Sequence, residues 1–356
     1  MTKPPPQLRT RLPERNLDVL RAVAVLSVLL FHISRALGYH KELDPLGRAG
    51  VLLFFVHTSL VLMGSLERSG ARGSWVSEFY LRRAFRIYPL AIVTVLAVVA
   101  VGIPQTVPVV HHPVAYAPAP LFVVVANLLL VQNLAGVGNV LGVLWSLPLE
   151  VQMYVLLPLC FLAARRGPRW IVAGILVTVP LGLLLQRGSI PGIWRLSILQ
   201  FIPCFLSGVL AYGILARGPK RARAAAALWL PLLLACIAVF FALADRINFF
   251  VAEWIFCLGV ASLIPLVDTL PESRLTRAAG TIALYSYGIY LTHQIAFWVG
   301  FNVFSARSDA VQWLTTTALV VLLPFVAYHL VEKPFIELGK RFARGKEIVA
   351  SEAPAP

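Results

Sequence analysis

A chain of 356 residues that is 59% hydrophobic and only 13% charged, with a mean hydropathy of +0.80, is far too apolar for a soluble domain, where about a quarter of residues carry charge. Its net charge of +15 would suit a nucleic-acid partner, but the basic residues flank long apolar runs, which excludes that partner in favour of a multi-pass membrane protein. No alternating strand pattern is present, so the expected fold is all-α, a bundle of about ten transmembrane helices with one re-entrant or interfacial segment.

Residues 1–16, with four basic side chains and the run Pro4 to Pro6, read as a flexible cytoplasmic arm. Apolar spans follow around 18–39, 49–66, 88–104, 145–164, 170–186, 195–216, 225–244, 250–267, 281–304 and 311–331. The first has no small-residue cleavage site after it and reads as a retained helix. Between the second and third spans, Trp75 to Tyr88 is amphipathic, with Arg82, Arg83 and Arg86 among Phe79, Leu81, Phe85 and Ile87. It is expected to lie along the cytoplasmic membrane surface until Pro89 opens the third span. Leu121 to Leu134 is short and holds Asn127, Gln132 and Asn133. If it crossed, every basic loop after it would face outward, so it reads as the re-entrant or interfacial segment. The loops then placed inside carry 23 of the 31 Lys and Arg, a bias that puts both termini in the cytoplasm. One membrane domain, 17–346, precedes a tail at 347–356 expected to be disordered. No internal repeat is evident. The four cysteines, Cys160, Cys204, Cys236 and Cys257, lie within spans and read as reduced packing residues.

The chemistry-bearing residues are the ionisable ones that membrane spans ordinarily exclude. Arg21 and His32 lie eleven residues apart in the first span; at about 100° per residue they share one stripe, about 16 Å apart along the axis. His32 is near the membrane midplane and suits a general base; the bland reading is a histidine bonded to a neighbouring helix. Arg21 is either a ligand contact or a snorkelling anchor paired with Asp18. Arg83 and Arg86 share a helical face and can grip phosphate or anchor on anionic lipid. Glu150, after Pro148 in a first helical turn, orients an acceptor, pairs with a membrane arginine or only fixes packing. Ser286, Tyr290 and His293 form a polar stripe that lines a cavity or satisfies itself. His57 competes for the base role. His329 and Glu332 read as a structural pair, and His111 with His112 as a weak metal signal, so no metal is expected.

These motifs together resemble the membrane acyltransferase 3 family, bacterial enzymes that O-acylate glycans and some small molecules. The resemblance runs in order through NLDVLRAVAVLSVLLFH (16–32), FYLRRAFRIYPL (79–90), LWSLPLEVQMYVLLPL (144–159), SYGIYLTHQ (286–294) and HLVEKPFIELGKR (329–341). It implies an inner-membrane O-acyltransferase moving an acyl group, acetyl foremost, from acyl-CoA to a sugar hydroxyl of a polysaccharide or lipid-linked oligosaccharide. Acyl-CoA is then a donor substrate rather than a resident cofactor, and membrane lipid and polysaccharide-assembly proteins are further partners. By position, His32 matches the family's essential histidine, with Glu150 beside it as a catalytic candidate. Arg21, Arg83 and Arg86 match acyl-CoA-binding arginines, and His57, Tyr290 and His293 fall in the expected substrate cavity. The chain departs from the family where a Ser-Gly pair commonly follows the second-span FFV; here stand His57, Thr58 and Ser59. A transporter or flippase of lipid-linked sugars is the alternative that the intramembrane charges also allow.

Overall fold

The computed structural model describes residues 12–39, 43–69, 75–106, 108–110, 112–187, 192–218 and 224–352. His111 lies outside them, as do most of the N-terminal arm and residues 353–356. Among the described residues there is no strand, only isolated bridges joining Val109 to His112 and Ala224 to Val267. The helices are α1 (Glu14–Ala36), α2 (Asp44–Ser69), α3 (Trp75–Val101), α4 (Leu121–Leu128), α5 (Gln132–Ala135), α6 (Leu147–Arg166) and α7 (Pro168–Gln186). They continue with α8 (Ile198–Leu215), α9 (Trp229–Ala244), α10 (Phe249–Leu266), α11 (Arg274–Trp298), α12 (Asp309–Ala327) and α13 (Lys333–Glu352).

Nine stretches of the described residues are long and apolar enough to cross a membrane by length and composition. Each expected span has its helix, but α11 is absent from those nine despite its 25 residues. Its hydropathy is lowered by Tyr285, Ser286, Tyr287, Tyr290, Thr292, His293 and Gln294. The helix tolerates them because it packs against α1 on one side and α12 on the other, so most of these groups face protein rather than lipid.

The segment after the third span does not cross. At 1.5 Å per residue the eight residues of α4 extend about 12 Å, less than half of a bilayer core. Asn127 turns the chain back, donating to the carbonyls of Val123 at 2.9 Å and Gly138 at 3.0 Å and accepting from the Val140 amide at 3.1 Å.

The amphipathic stretch 75–88 departs from expectation. It is no separate surface helix, for α3 runs unbroken through Pro89. A proline removes only one donor from a helix, and here α11 supports the weakened turn through Tyr287, whose hydroxyl donates to the Ile87 carbonyl at 2.7 Å. The surface-type amphipathic helix is instead α13, which packs on α3. The Phe85 ring centroid is 5.7 Å from Phe342, and a Cβ at Gly339 would come within 2.7 Å of the Phe85 Cβ. Helix α13 continues to Glu352, into the stretch expected to be a disordered tail.

Close helix crossings hold the centre together. A Cβ at Gly50 of α2 would stand 2.5 Å from the Ala24 carbonyl of α1, and one at Gly208 of α8 would collide with Ser59 and Val56 of α2. At the N-terminal end of α1 several basic-flanked segments gather. Asn16 bonds the Asp268 carbonyl at 3.0 Å and the Leu270 amide at 2.8 Å, and Asp268 in turn donates to Ala224 at 3.0 Å.

Candidate active site

Arg21 stands two turns inside the N-terminal end of α1 and His32 one turn from its C-terminal end. The helix therefore carries them to different cavities. Arg21, Arg83, Arg86, Glu150, Tyr154 and Ser286 converge on a cavity of about 100 Å³ toward the N-terminal end of α1. His32 lines a second cavity, of about 420 Å³, with Arg48, Gln105, Thr106, Trp145 and Gln294. Val51 and Tyr290 belong to both linings and form the partition. Tyr290 is fixed there, its hydroxyl sharing a 2.7 Å bond with Ser146 and donating at 2.8 Å to the Val143 carbonyl.

The arginine cavity is assembled from five helices, α1, α2, α3, α6 and α11. Arg21 reaches from α1 to α11, where its Nε donates to Ser286 Oγ at 2.6 Å. Its guanidinium thus turns into the bundle rather than snorkelling outward. Arg83 and Arg86 arrive from α3. Arg86 makes a 2.7 Å ion pair with Glu332, which is 1% exposed, and its guanidinium lies 5.7 Å from the Tyr287 ring. That corrects the expected pairing of Glu332 with His329, which instead meets the Tyr285 hydroxyl at 3.2 Å. The three-residue spacing suggested a partner on the same helix, but a π-helical turn over Tyr328–Glu332 swings the carboxylate toward α3. Arg83 keeps a buried Nε without a hydrogen-bond partner. Such an orphaned donor in a buried cationic site marks a place for an anion. Glu150 of α6 accepts from Tyr154 one turn on and faces this cavity, not that of His32.

His57 and Thr58 also line the arginine cavity, while Ser59 turns inward and bonds the carbonyls of Phe55 at 2.9 Å and Val56 at 3.1 Å. The unusual His-Thr-Ser run thus divides into two lining side chains and one packing group. His57 lies across the partition from His32.

In the second cavity His32 has its Nδ1 buried without a partner, and its ring centroid is 4.9 Å from that of His293. His293 is only 1% exposed and belongs to neither lining; it packs behind His32. The polar stripe of α11 is therefore split, with Ser286 in one cavity, Tyr290 in the partition and His293 as backing.

Sequence reasoning missed one charged group here. Arg48 of α2 pairs through Nε with Glu253 of α10, which is wholly buried, and its guanidinium carbon lies 4.6 Å from the Trp145 ring and 4.9 Å from that of Phe201. The available signal was Glu253 itself, a lone carboxylate within an apolar span. An ion pair stacked on aromatic rings beside planar amides and a threonine hydroxyl suits a polyhydroxylated ligand. Among the described residues no group of three or more His, Cys, Asp or Glu side chains is arranged to hold a metal.

A family model described as an acyltransferase domain, Acyl_transf_3, matches residues 14–329. No curated protein and no solved structure matches the chain. With the match running from the start of α1 through the last cavity-forming helices, the chain belongs to the membrane acyltransferase 3 family and is a membrane acyltransferase.

Proposed function

We propose that the protein transfers an acyl group, foremost acetyl, from acyl-CoA to a sugar hydroxyl of a surface polysaccharide or lipid-linked oligosaccharide at a bacterial inner membrane. The observation that carries this reading is the pair of cavities meeting at Val51 and Tyr290, one rich in arginine and the other holding His32. The excess of Lys and Arg around the N-terminal end of α1 supports a cytoplasmic location for the arginine side and for both termini. Acyl-CoA is made in the cytoplasm and carries phosphate charge, which suits Arg83 and Arg86. The span of about 16 Å from Arg21 to His32 is comparable to an extended pantetheine arm.

In this reading the arginine side receives the donor and the His32 side the acceptor, so CoA never crosses the membrane. His32 Nε2 takes the proton of the acceptor hydroxyl as its oxygen attacks the thioester carbonyl. The C–S bond breaks, and the departing CoA thiolate recovers the proton from the imidazolium. Positioned base catalysis supplies about 10²–10⁴ of the rate, and holding both substrates across the partition supplies the rest. Glu150, held by Tyr154, neutralises part of the arginine charge around the arm rather than touching the acceptor.

The test is purified protein in liposomes with radiolabelled acetyl-CoA and membrane glycans. Label should enter the glycan fraction, and His32→Ala should reduce transfer by about 10²–10⁴. Undiminished transfer by the variant would remove His32 from the reaction. Glycan translocation without label transfer would favour the flippase.

A further inference from the structure

Neutral imidazole has one N–H and one lone pair, and a buried ring is fixed in one tautomer by whichever neighbour it meets. His293 Nδ1 lies 2.8 Å from the Ile289 carbonyl, one turn back on α11. A carbonyl only accepts, so Nδ1 carries the proton and Nε2 the lone pair. That Nε2 is buried and has no partner.

His32 shows the complementary deficit. Its Nδ1 is buried without a partner, and it makes no bond to its own helix of the kind His293 makes. The ring lines the second cavity, so burial of Nδ1 leaves Nε2 as the nitrogen that meets the acceptor. The rings nearest to it are Phe31 at 4.7 Å, which offers no lone pair in its plane, and His293 at 4.9 Å, tilted by 46°. Two adjacent buried rings each leave one nitrogen unsatisfied, and those nitrogens are matched as donor and acceptor. Bonds of this type are often open in a free enzyme and close in the substrate complex.

The geometry points to His293 as a positioning residue for His32: its Nε2 accepts the Nδ1 proton of His32, holding Nε2 of His32 bare toward the acceptor hydroxyl. The inference rests on the role of His32 as base. During transfer, the proton taken by Nε2 of His32 makes an imidazolium whose Nδ1–H the His293 lone pair stabilises. The Nδ1 proton stays between the two rings, and the proton taken at Nε2 is the one that passes to the CoA thiolate.

The test compares His293→Leu, which keeps apolar volume but has no lone pair, with His293→Gln, whose amide oxygen restores an acceptor. In acetyl transfer the leucine variant should lose about tenfold to a hundredfold in kcat with KM for acetyl-CoA unchanged, while glutamine recovers part of the loss. The second readout needs no substrate: carbethoxylation of His32 by diethyl pyrocarbonate, followed by peptide mass spectrometry. Without an acceptor for Nδ1–H the bare Nε2 tautomer is no longer favoured, so labelling in the leucine variant should slow by about fivefold and return toward the native rate in glutamine. If leucine prevents folding, His293→Phe, which likewise offers no lone pair in its plane, carries the same comparison. Native-rate labelling of the leucine variant, or equal behaviour of leucine and glutamine, would overturn the pairing. A protein whose labelling responds as described but which transfers no acetyl group would keep the pair and refute the acyl-transfer reading instead.

Discussion

Removing Arg86 should expose two separable roles, one in folding and one in donor binding. Glu332 is 1% exposed, and one of its oxygens depends on Arg86 at 2.7 Å while the other has no partner. Arg86→Ala therefore strands a buried carboxylate. Breaking a buried pair from one side costs about 3–5 kcal/mol. The Arg86 side chain is itself 18% exposed, so water can partly reach the vacated site and the lower end, about 3 kcal/mol, is the working figure. At roughly 2 °C per kcal/mol for a chain of this length, the apparent Tm in detergent should fall by about 6 °C. Adding Glu332→Ala removes the stranded charge and should restore most of that loss. It should not restore the donor contact, because hydrogen bonds to charged groups are worth about 1.5–3 kcal/mol, a KM for acetyl-CoA raised about tenfold or more in both single and double variants. Thermal unfolding and steady-state kinetics on the same three preparations decide the matter. An Arg86→Ala protein as stable as the native one, or a double variant no more stable than the single, would refute the ion-pair argument.

Arg83→Ala gives the contrasting case: with its Nε unpartnered, the variant should keep the native Tm while KM for acetyl-CoA rises about tenfold or more, by titration of initial rates. Tyr290→Ala opens the partition between the cavities, so the ratio of acetyl-CoA hydrolysis to glycan transfer should rise in a paired assay of free and transferred acetate; an unchanged ratio would deny Tyr290 that place. Glu253→Gln removes the charge that holds Arg48 against Trp145 and should raise KM for the glycan while leaving that for acetyl-CoA alone. Gly50→Ala forces α2 away from the Ala24 carbonyl; overpacking of about 1–3 kcal/mol should lower the Tm by several degrees and cut transfer, since α1 carries both Arg21 and His32.

Most of the fold was legible because span length and loop charge are local properties of the chain. The Arg21–His32 stripe could be read for the same reason, since eleven residues on one helix fix an angle and a rise. What lay beyond reach were relations between helices. Chain spacing pairs Glu332 with His329, whereas packing pairs it with Arg86 across the bundle. The stripe of Ser286, Tyr290 and His293 was legible as a face, but its division between two cavities depends on how α11 meets α1 and α12. Glu253 stands alone in an apolar run and its role is not legible locally, because its partner Arg48 lies far away in the chain. Pro89 taken alone predicts a helix start, yet supporting contacts from α11 and α13 let α3 continue through it.

The most direct measurement is an electron cryo-microscopy structure of the protein with a thioether analogue of acetyl-CoA. The expected density has CoA phosphate oxygens within hydrogen-bond distance of Arg83 or Arg86, the pantetheine arm passing Arg21, and the acetyl end at Tyr290 facing His32. An analogue bound in the His32 cavity with its phosphates beside Arg48, or bound away from both cavities, would contradict the division of donor and acceptor on which the proposed function depends.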